Sequence, residues 1–320
     1  MEENKIEFIT QVEDTSAEDL FEEYYTKNIV PLVDEENHMK RVFRSRFWGY
    51  LWSACFLLGV NLLIVLFRRL MYNYPINFGQ LFLVTLLALA VVSWPIISYY
   101  RTPKSDMFGT FVKFYGQWEH QENKEVEFEQ KTIVPAHDKV VVPHGVSGVY
   151  DGIEIELNDT LYQRPFKLGK KEYLRTVSKG VMVRAKFNNQ IENKLLLFDR
   201  RGFRRSGKYP DMINVTDQIL IPMAMQFNIF TDDDVFAKDM LPTLFFERIL
   251  DMKEIFRASA VNVDIQEDYL YIYLENASMY FNNRNIWSQH VDKEKFVVLN
   301  KEMEQTLMTA QLVQVLRDSL

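Results

Sequence analysis

The chain holds one cysteine, Cys55, and it lies inside an apolar run. No other thiol exists to form a disulfide, act as a nucleophile or ligate a soft metal. Histidine is also scarce: His38, His120, His137, His144 and His290 are dispersed, with no H-E-x-x-H pattern and no close pair on one helix face. His137 and His144 flank Pro143 and can meet in a loop, but two ligands fall short of a zinc site. Neither G-x-x-x-x-G-K-S/T nor G-x-G-x-x-G occurs, so no phosphate-cradling loop is present. Gly145-Val-Ser-Gly148 departs from a nucleophile elbow, because glycine follows the serine directly and strand-type residues come next. It reads as a turn. With a net charge of −7, the chain also lacks the basic balance of a nucleic-acid binder.

Charge is missing most tellingly from two long stretches, Trp48–Phe67 and Phe78–Ser98. Each has the length of a bilayer-crossing helix. The first contains eleven Leu, Ile, Val or Phe residues and the second twelve. On an insertion scale, the first set contributes about −3 to −7 kcal/mol, more than Ser53 and Asn61 can offset. Core helices of soluble proteins carry a polar face, and these runs have none. They read as a transmembrane hairpin, with Trp48, Trp52, Tyr72, Tyr74, Trp94, Tyr99 and Tyr100 at the headgroup levels.

Lys40, Arg41, Arg44 and Arg46 precede the hairpin and Arg101, Lys104 and Lys113 follow it, whereas the loop has only Arg68 and Arg69. That bias predicts cytoplasmic ends, an external loop and a plasma-membrane location. The late first run also speaks against a cleaved signal peptide. Gly49 and Ser53 form a small-xxx-small pair, and Asn61 can bond to another helix or pair within the hairpin. Pro95 near the end of the second span is tolerated there. With no intramembrane ionisable residue, no solute path is evident, and two helices could line a pore only in an oligomer.

Three parts follow: an acidic, helical N-terminal segment (1–47), the hairpin (48–98), and a cytoplasmic α+β domain (99–320). In the first, Ser16 is the expected N-cap, and Leu20, Phe21, Tyr24 and Tyr25 supply an apolar face before Pro31. A second helical segment runs from Pro31 to Phe43. Beyond the spans, Met107–Glu129 reads as a juxtamembrane helix, and Val126–Val142 fits no single element. Ile153–Leu157 and Val181–Phe187 alternate as half-buried strands, and Leu195–Phe198 as a buried one. Val261–Ile265 and Tyr269–Leu274, split by Gln-Glu-Asp, suit a hairpin. Asp233–Phe256 is helical with a kink or restart at Pro242, and a final helix carries Met308, Leu312, Val315 and Leu316 on its apolar side.

Chemical candidates are few. Glu154 and Glu156 share one strand face, as an acid–base pair would, or as a solvated face would. Asp232–Asp234 can hold a divalent cation or cap a helix; the calcium-loop glycine and distal glutamate are absent. Arg200, Arg201, Arg204, Arg205 and Lys208 place five positive charges in nine residues. Such a loop can bind phosphate groups or anionic headgroups, or it can be a solvated surface loop.

The order of features resembles a bacterial membrane-protein family, the domain-of-unknown-function family numbered three-one-three-seven. The likeness rests on Tyr24-Tyr25 and Pro31, the two spans, Gly180–Asn188, Phe227–Asp234, and Ala237–Phe245. It covers nearly the whole chain and implies an inner-membrane protein with a LemA-like membrane-protein partner. It supplies no catalytic residue. The expectation is a membrane-anchored interaction or scaffold module without a cofactor, assembling with itself or a membrane protein. The alternatives are anionic-lipid or phospholigand binding through Arg200–Lys208, and an enzyme of unrecognised class.

Overall fold

Pro31 does not break the first helix. In the computed structural model, which describes residues 17–73, 75, 78–102, 106–125, 132–169, 171–202, 209, 211–279 and 292–318, helix α1 (Ala17–Tyr24) runs into a π-turn at Tyr25–Ile29. It continues from there as α2 (Val30–Tyr72). Proline removes one N–H and crowds the carbonyl a turn earlier. The wide π-turn places that defect where the helix can carry it. Ser16, the expected N-cap, lies outside the described residues.

Helix α3 (Phe78–Arg101) packs on α2. Among the less exposed positions are Leu51, Ala54, Leu58, Asn61 and Val65 on α2, and Leu81, Val84, Ala88, Val92 and Pro95 on α3. Steps of three and four form the narrow seam of a coiled-coil-like pair. The remaining surface is apolar and open: Trp52, Phe56, Leu70 and Phe82 are each at least 70% exposed. Both helices are long and apolar enough to cross a membrane. At one end, Lys40 turns inward to Glu36 at 3.9 Å, and Glu36 accepts a 2.7 Å hydrogen bond from Tyr99. Lys40 is fully buried, so it does not belong to the exposed basic flank.

The chain divides into two compact units. One holds these helices and the start of α4 (Met107–Val112), up to Phe111, together with Asp292. The second begins at Val112 and contains a seven-stranded antiparallel sheet. Its strands are β1 (Glu119–Glu125), β2 (Lys139–Tyr150), β3 (Ile153–Leu168), β4 (Lys171–Asp199), β5 (Ile213–Asn214), β6 (Phe227–Thr231) and β7 (Ala260–Glu275). The order is β1-β2-β3-β4-β6-β5, with β7 on β4. The mixed α+β class expected from the sequence is what the molecule has.

Three sequence expectations are corrected here. Met107–Glu129 is not one helix: α4 ends at Val112, and Glu119–Glu125 is strand β1, paired with β2. The residues Gly145–Gly148 are not a turn but lie within β2. Val261–Leu274 is not a hairpin either. It is one strand, β7, and Gln266–Asp268, with Glu267 at φ 56, lies at a bulge of the β4–β7 ladder whose extra residues are on β4. The bulge changes side-chain parity. Before it Val261, Val263 and Ile265 are buried opposite β4; after it Leu270, Ile272 and Leu274 continue that buried set, while Tyr271 and Tyr273 join the cluster of Val140, Val142, Tyr162 and Phe198.

Helix α5 (Asp234–Met240), α6 (Thr243–Ile255) and α7 (Lys293–Asp318) complete the unit. Helices α6 and α7 pack together and against β7, β4 and β3. Asp233 caps α5 by accepting from Val235 N (2.9 Å) and Phe236 N (3.3 Å). Pro242 marks a restart, as the N-cap of α6. On α7, Phe296, Leu299, Met303 and Leu316 are buried with Leu312. Leu312 and Leu316 are thus on the expected apolar side; Val315's side chain lies outside the described set.

Candidate functional site

Strand β1 has no apolar side chain, yet it is held in register by Trp118 just before it. Trp118 is buried, and a Cβ on Gly148 would sit 2.4 Å from its indole. Glycine at 148 therefore lets the ring lie flat on β2. With that anchor, Glu122 falls opposite His144 and His120 opposite Val146. Residues two apart on a strand share a face, so His120, Glu122 and His144 converge.

His144 Nδ1 is 3.4 Å from His120 Nε2 and 4.0 Å from Glu122 Oε1. Donor atoms of all three residues lie within 4.8 Å of one another. His144 is buried, His120 half-buried and Glu122 exposed. Behind His144 the β2–β3 ladder is irregular. Residues 142–144 of β2 stand against only 159 and 160 of β3, between the pairs Val141–Leu161 and Gly145–Asn158. Such a bulge re-aims a side chain without ending the strand. Among the described residues, this is the group that could hold a metal ion.

The loop meeting of His137 and His144 that the sequence allowed does not occur. His137 Nδ1 lies 2.8 Å from the Pro135 carbonyl, and its ring packs edge-on to Tyr162 at 4.7 Å. A helix over Glu119–Glu125, the sequence expectation, sets positions two apart on diverging faces, which hides His120 as a neighbour of Glu122 and His144. The H-x-E spacing was the available signal. It becomes meaningful only once the segment is a strand.

The other candidates resolve into structural roles. Glu156 pairs with Arg184 at 2.5 Å and Glu154 with Lys186 at 3.6 Å, both across the β3–β4 ladder. Arg184 also lies over the Tyr269 ring, at 4.9 Å. Each carboxylate thus has its own cation, in place of a shared proton. Asp232 accepts from Lys194 N at 2.8 Å, Asp233 caps α5, and Asp234 pairs with Lys238 at 3.1 Å. Within that run Asp233 is the helix cap that the sequence allowed.

The basic loop leaves β4 at Asp199, whose buried carboxylate accepts from Lys253 and from Arg201 N. Arg200 is exposed and donates to Asn228 Oδ1 at 3.1 Å. The chain returns at Tyr209, stacked on Phe198 with ring centroids 5.6 Å apart. Arg204, Arg205 and Lys208 lie outside the described residues. On the hairpin, Ser53 donates to the Gly49 carbonyl of its own helix at 2.9 Å, and a Cβ at Gly49 would meet nothing. Gly49 and Ser53 therefore face outward, whereas Asn61 lies on the α2–α3 seam with its amide oxygen buried.

A further feature escaped the sequence reading. From Arg164 to Leu168 and from Lys171 to Val177, β3 and β4 leave the core as a two-stranded arm whose described side chains are exposed. Phe166, Leu168, Tyr173 and Leu174 are among the exposed large apolar residues of the molecule. Basic residues are interleaved: Arg164, Lys167, Lys171 and Arg175 against Glu172. Arg164 stands directly opposite Arg175, a like-charge pairing that weakens an isolated ladder.

Residues 176–317 match the family described as protein of unknown function, DUF3137. The DUF3137 segment thus begins within the arm and runs through β4–β7 and α5–α6 into α7. His120, Glu122 and His144 precede it. No curated protein matches the chain. Among solved structures, the crystal structure of the mycobacterial trehalose monomycolate transport factor A, TtfA, is similar at 8% identity over 64% of this chain and 92% of that one, with a TM-score of 0.39.

Proposed function

We propose that this protein is a membrane-anchored interaction module, with α2 and α3 spanning the inner membrane and the sheet domain on the cytoplasmic side. The domain makes the contacts, either with a second copy or with another membrane protein. The observation that carries this reading is the exposed arm of β3 and β4. The side chains of Phe166, Leu168, Tyr173 and Leu174 leave about half of their apolar surface in water, and burying the remainder of each against a partner is worth on the order of 1 kcal/mol. The interleaved cations select a partner surface that is apolar with acidic residues around it.

Anchoring is supported by the outward surface of α2 and α3, which has the apolar character that lipid accommodates. The flanking cations favour the cytoplasmic side for both ends. Gly49 and Ser53 leave a shallow place on that outer surface where a further helix can approach closely.

The test is native mass measurement and pull-down of the full chain from mild detergent. It compares wild type with a variant carrying Phe166→Ser, Leu168→Ser, Tyr173→Ser and Leu174→Ser. The wild type is expected to hold a stoichiometric partner or a second copy, and the variant to lose it while melting at the same temperature. A wild type that is monomeric and alone overturns the proposal, as does a variant that keeps its partner.

A further inference from the structure

We propose that His120, Glu122 and His144 form a binding site for a divalent transition-metal ion of the Zn2+ class, independent of the arm and of the membrane hairpin. Ligands at 2.0–2.1 Å from a tetrahedral Zn2+ stand about 3.3–3.4 Å from one another. His144 Nδ1 and His120 Nε2 are 3.4 Å apart, the edge such a tetrahedron requires. The Glu122 carboxylate, at 4.0 Å from His144, is on an exposed side chain and closes the remaining gap by a rotamer change. The two rings are stacked, with centroids 5.7 Å apart and planes 18° apart, so the site requires the half-buried His120 ring to turn and bring its lone pair onto the same point.

The donor set selects the ion. Two imidazoles and a carboxylate suit Zn2+ and its neighbours in the first transition row. Hard cations such as Mg2+ and Ca2+ take oxygen donors. Thiolate chemistry is excluded because the single cysteine, Cys55, lies on α2. Three protein ligands leave a fourth position open to water or a ligand, the arrangement of a working site more than of a closed structural one.

The frame is also built. His144 is 7% exposed and sits in the bulged stretch of β2, and β1 is pinned by Trp118 lying on Gly148. His144 is thus the buried, fixed member of the group, and the half-buried His120 and exposed Glu122 adjust to it. An unmetallated rival is a plain hydrogen-bonded group, in which a proton on one imidazole bridges to its neighbours. The two differ in stoichiometric metal uptake.

The experiment uses the full chain without a polyhistidine tag, in detergent, stripped by chelator and then titrated with Zn2+ against a chromophoric competitor. A parallel titration with Co2+ reads the visible absorption of a four-coordinate site. One equivalent is expected to bind, with an intense Co2+ band. His120→Ala and Glu122→Gln each weaken binding at least about tenfold, and His137→Ala leaves it unchanged. Zn2+ raises the melting temperature of wild type but not of His120→Ala. No stoichiometric uptake by wild type, or equal uptake by His120→Ala with the same Co2+ spectrum, overturns the assignment. His120 is half-buried on an edge strand, so that variant keeps its fold and the comparison is fair.

Discussion

Asp159 is 6% exposed on β3, and burial pushes its carboxyl up to about 7 from an ordinary 3.8, against the pull of the Met279 N–H that it accepts at 2.8 Å. Between those two values the folded chain keeps a proton that the unfolded chain has released. Stability from this group is therefore full below about pH 4 and lost as pH rises through 7. At about 1.4 kcal/mol per unit the loss is on the order of 4 kcal/mol. Asp159→Asn keeps the acceptor oxygen and removes the titration. It is expected to flatten the fall in stability from pH 4 to 7 seen for wild type, measured by denaturant unfolding of the detergent-solubilised chain. Equal slopes contradict the assignment. At this scale the sequence was readable where a residue acts on its own neighbourhood, as Asp233 does on the amides two and three residues on. It was not readable where the partner lies on another strand. Lys40, counted as surface charge, is buried against Glu36, and His144 meets His120 across the β1–β2 ladder instead of His137 nearby in sequence.

Among the elements, the errors share one cause: local pattern was overridden by pairing. Glu119–Glu125 has no apolar residue and forms a strand only because Trp118 docks it on Gly148. Charged edge strands of this kind resist unwanted pairing, and they give little strand signal. Gln266–Asp268 has turn-like chemistry, yet β4 pairs on both sides of it, so the strand runs on through it at a bulge of the ladder. Pro31 predicts a helix boundary, but the π-turn lets α1 run on into α2. By contrast Ile153–Leu157, Val181–Phe187 and the Pro242 restart were legible, because their burial follows the alternation or the missing N–H directly. Gly148→Val tests the docking of β1. A valine Cβ would overlap the Trp118 ring, costing about 1–3 kcal/mol. Amide exchange is expected to quicken along 119–125, with β3, β4 and β7 unchanged. Protection retained in β1 would show that Trp118 is not what holds it.

For the whole molecule, the two apolar helices and the mixed α+β class were plain in the sequence; the DUF3137 match to 176–317 covers the Gly180–Asn188, Phe227–Asp234 and Ala237–Phe245 motifs of the resemblance, while Tyr24-Tyr25, Pro31 and the two apolar runs lie outside it. The arm was hidden, since no strand was read over 164–177 and the sequence does not show that Phe166, Leu168, Tyr173 and Leu174 are left exposed. The proposed function rests at this scale on the sheet domain standing on the cytoplasmic side of a bilayer. The most direct measurement replaces Cys55 with alanine and introduces single cysteines, Asn73→Cys in the connection after α2 and Glu267→Cys in β7. Labelling of spheroplasts with a membrane-impermeant maleimide is then compared before and after lysis. The account predicts that Asn73→Cys reacts from outside in intact spheroplasts and that Glu267→Cys reacts only after lysis, both in the membrane fraction. Reaction of Glu267→Cys from outside, or recovery of the chain in the soluble fraction, contradicts it.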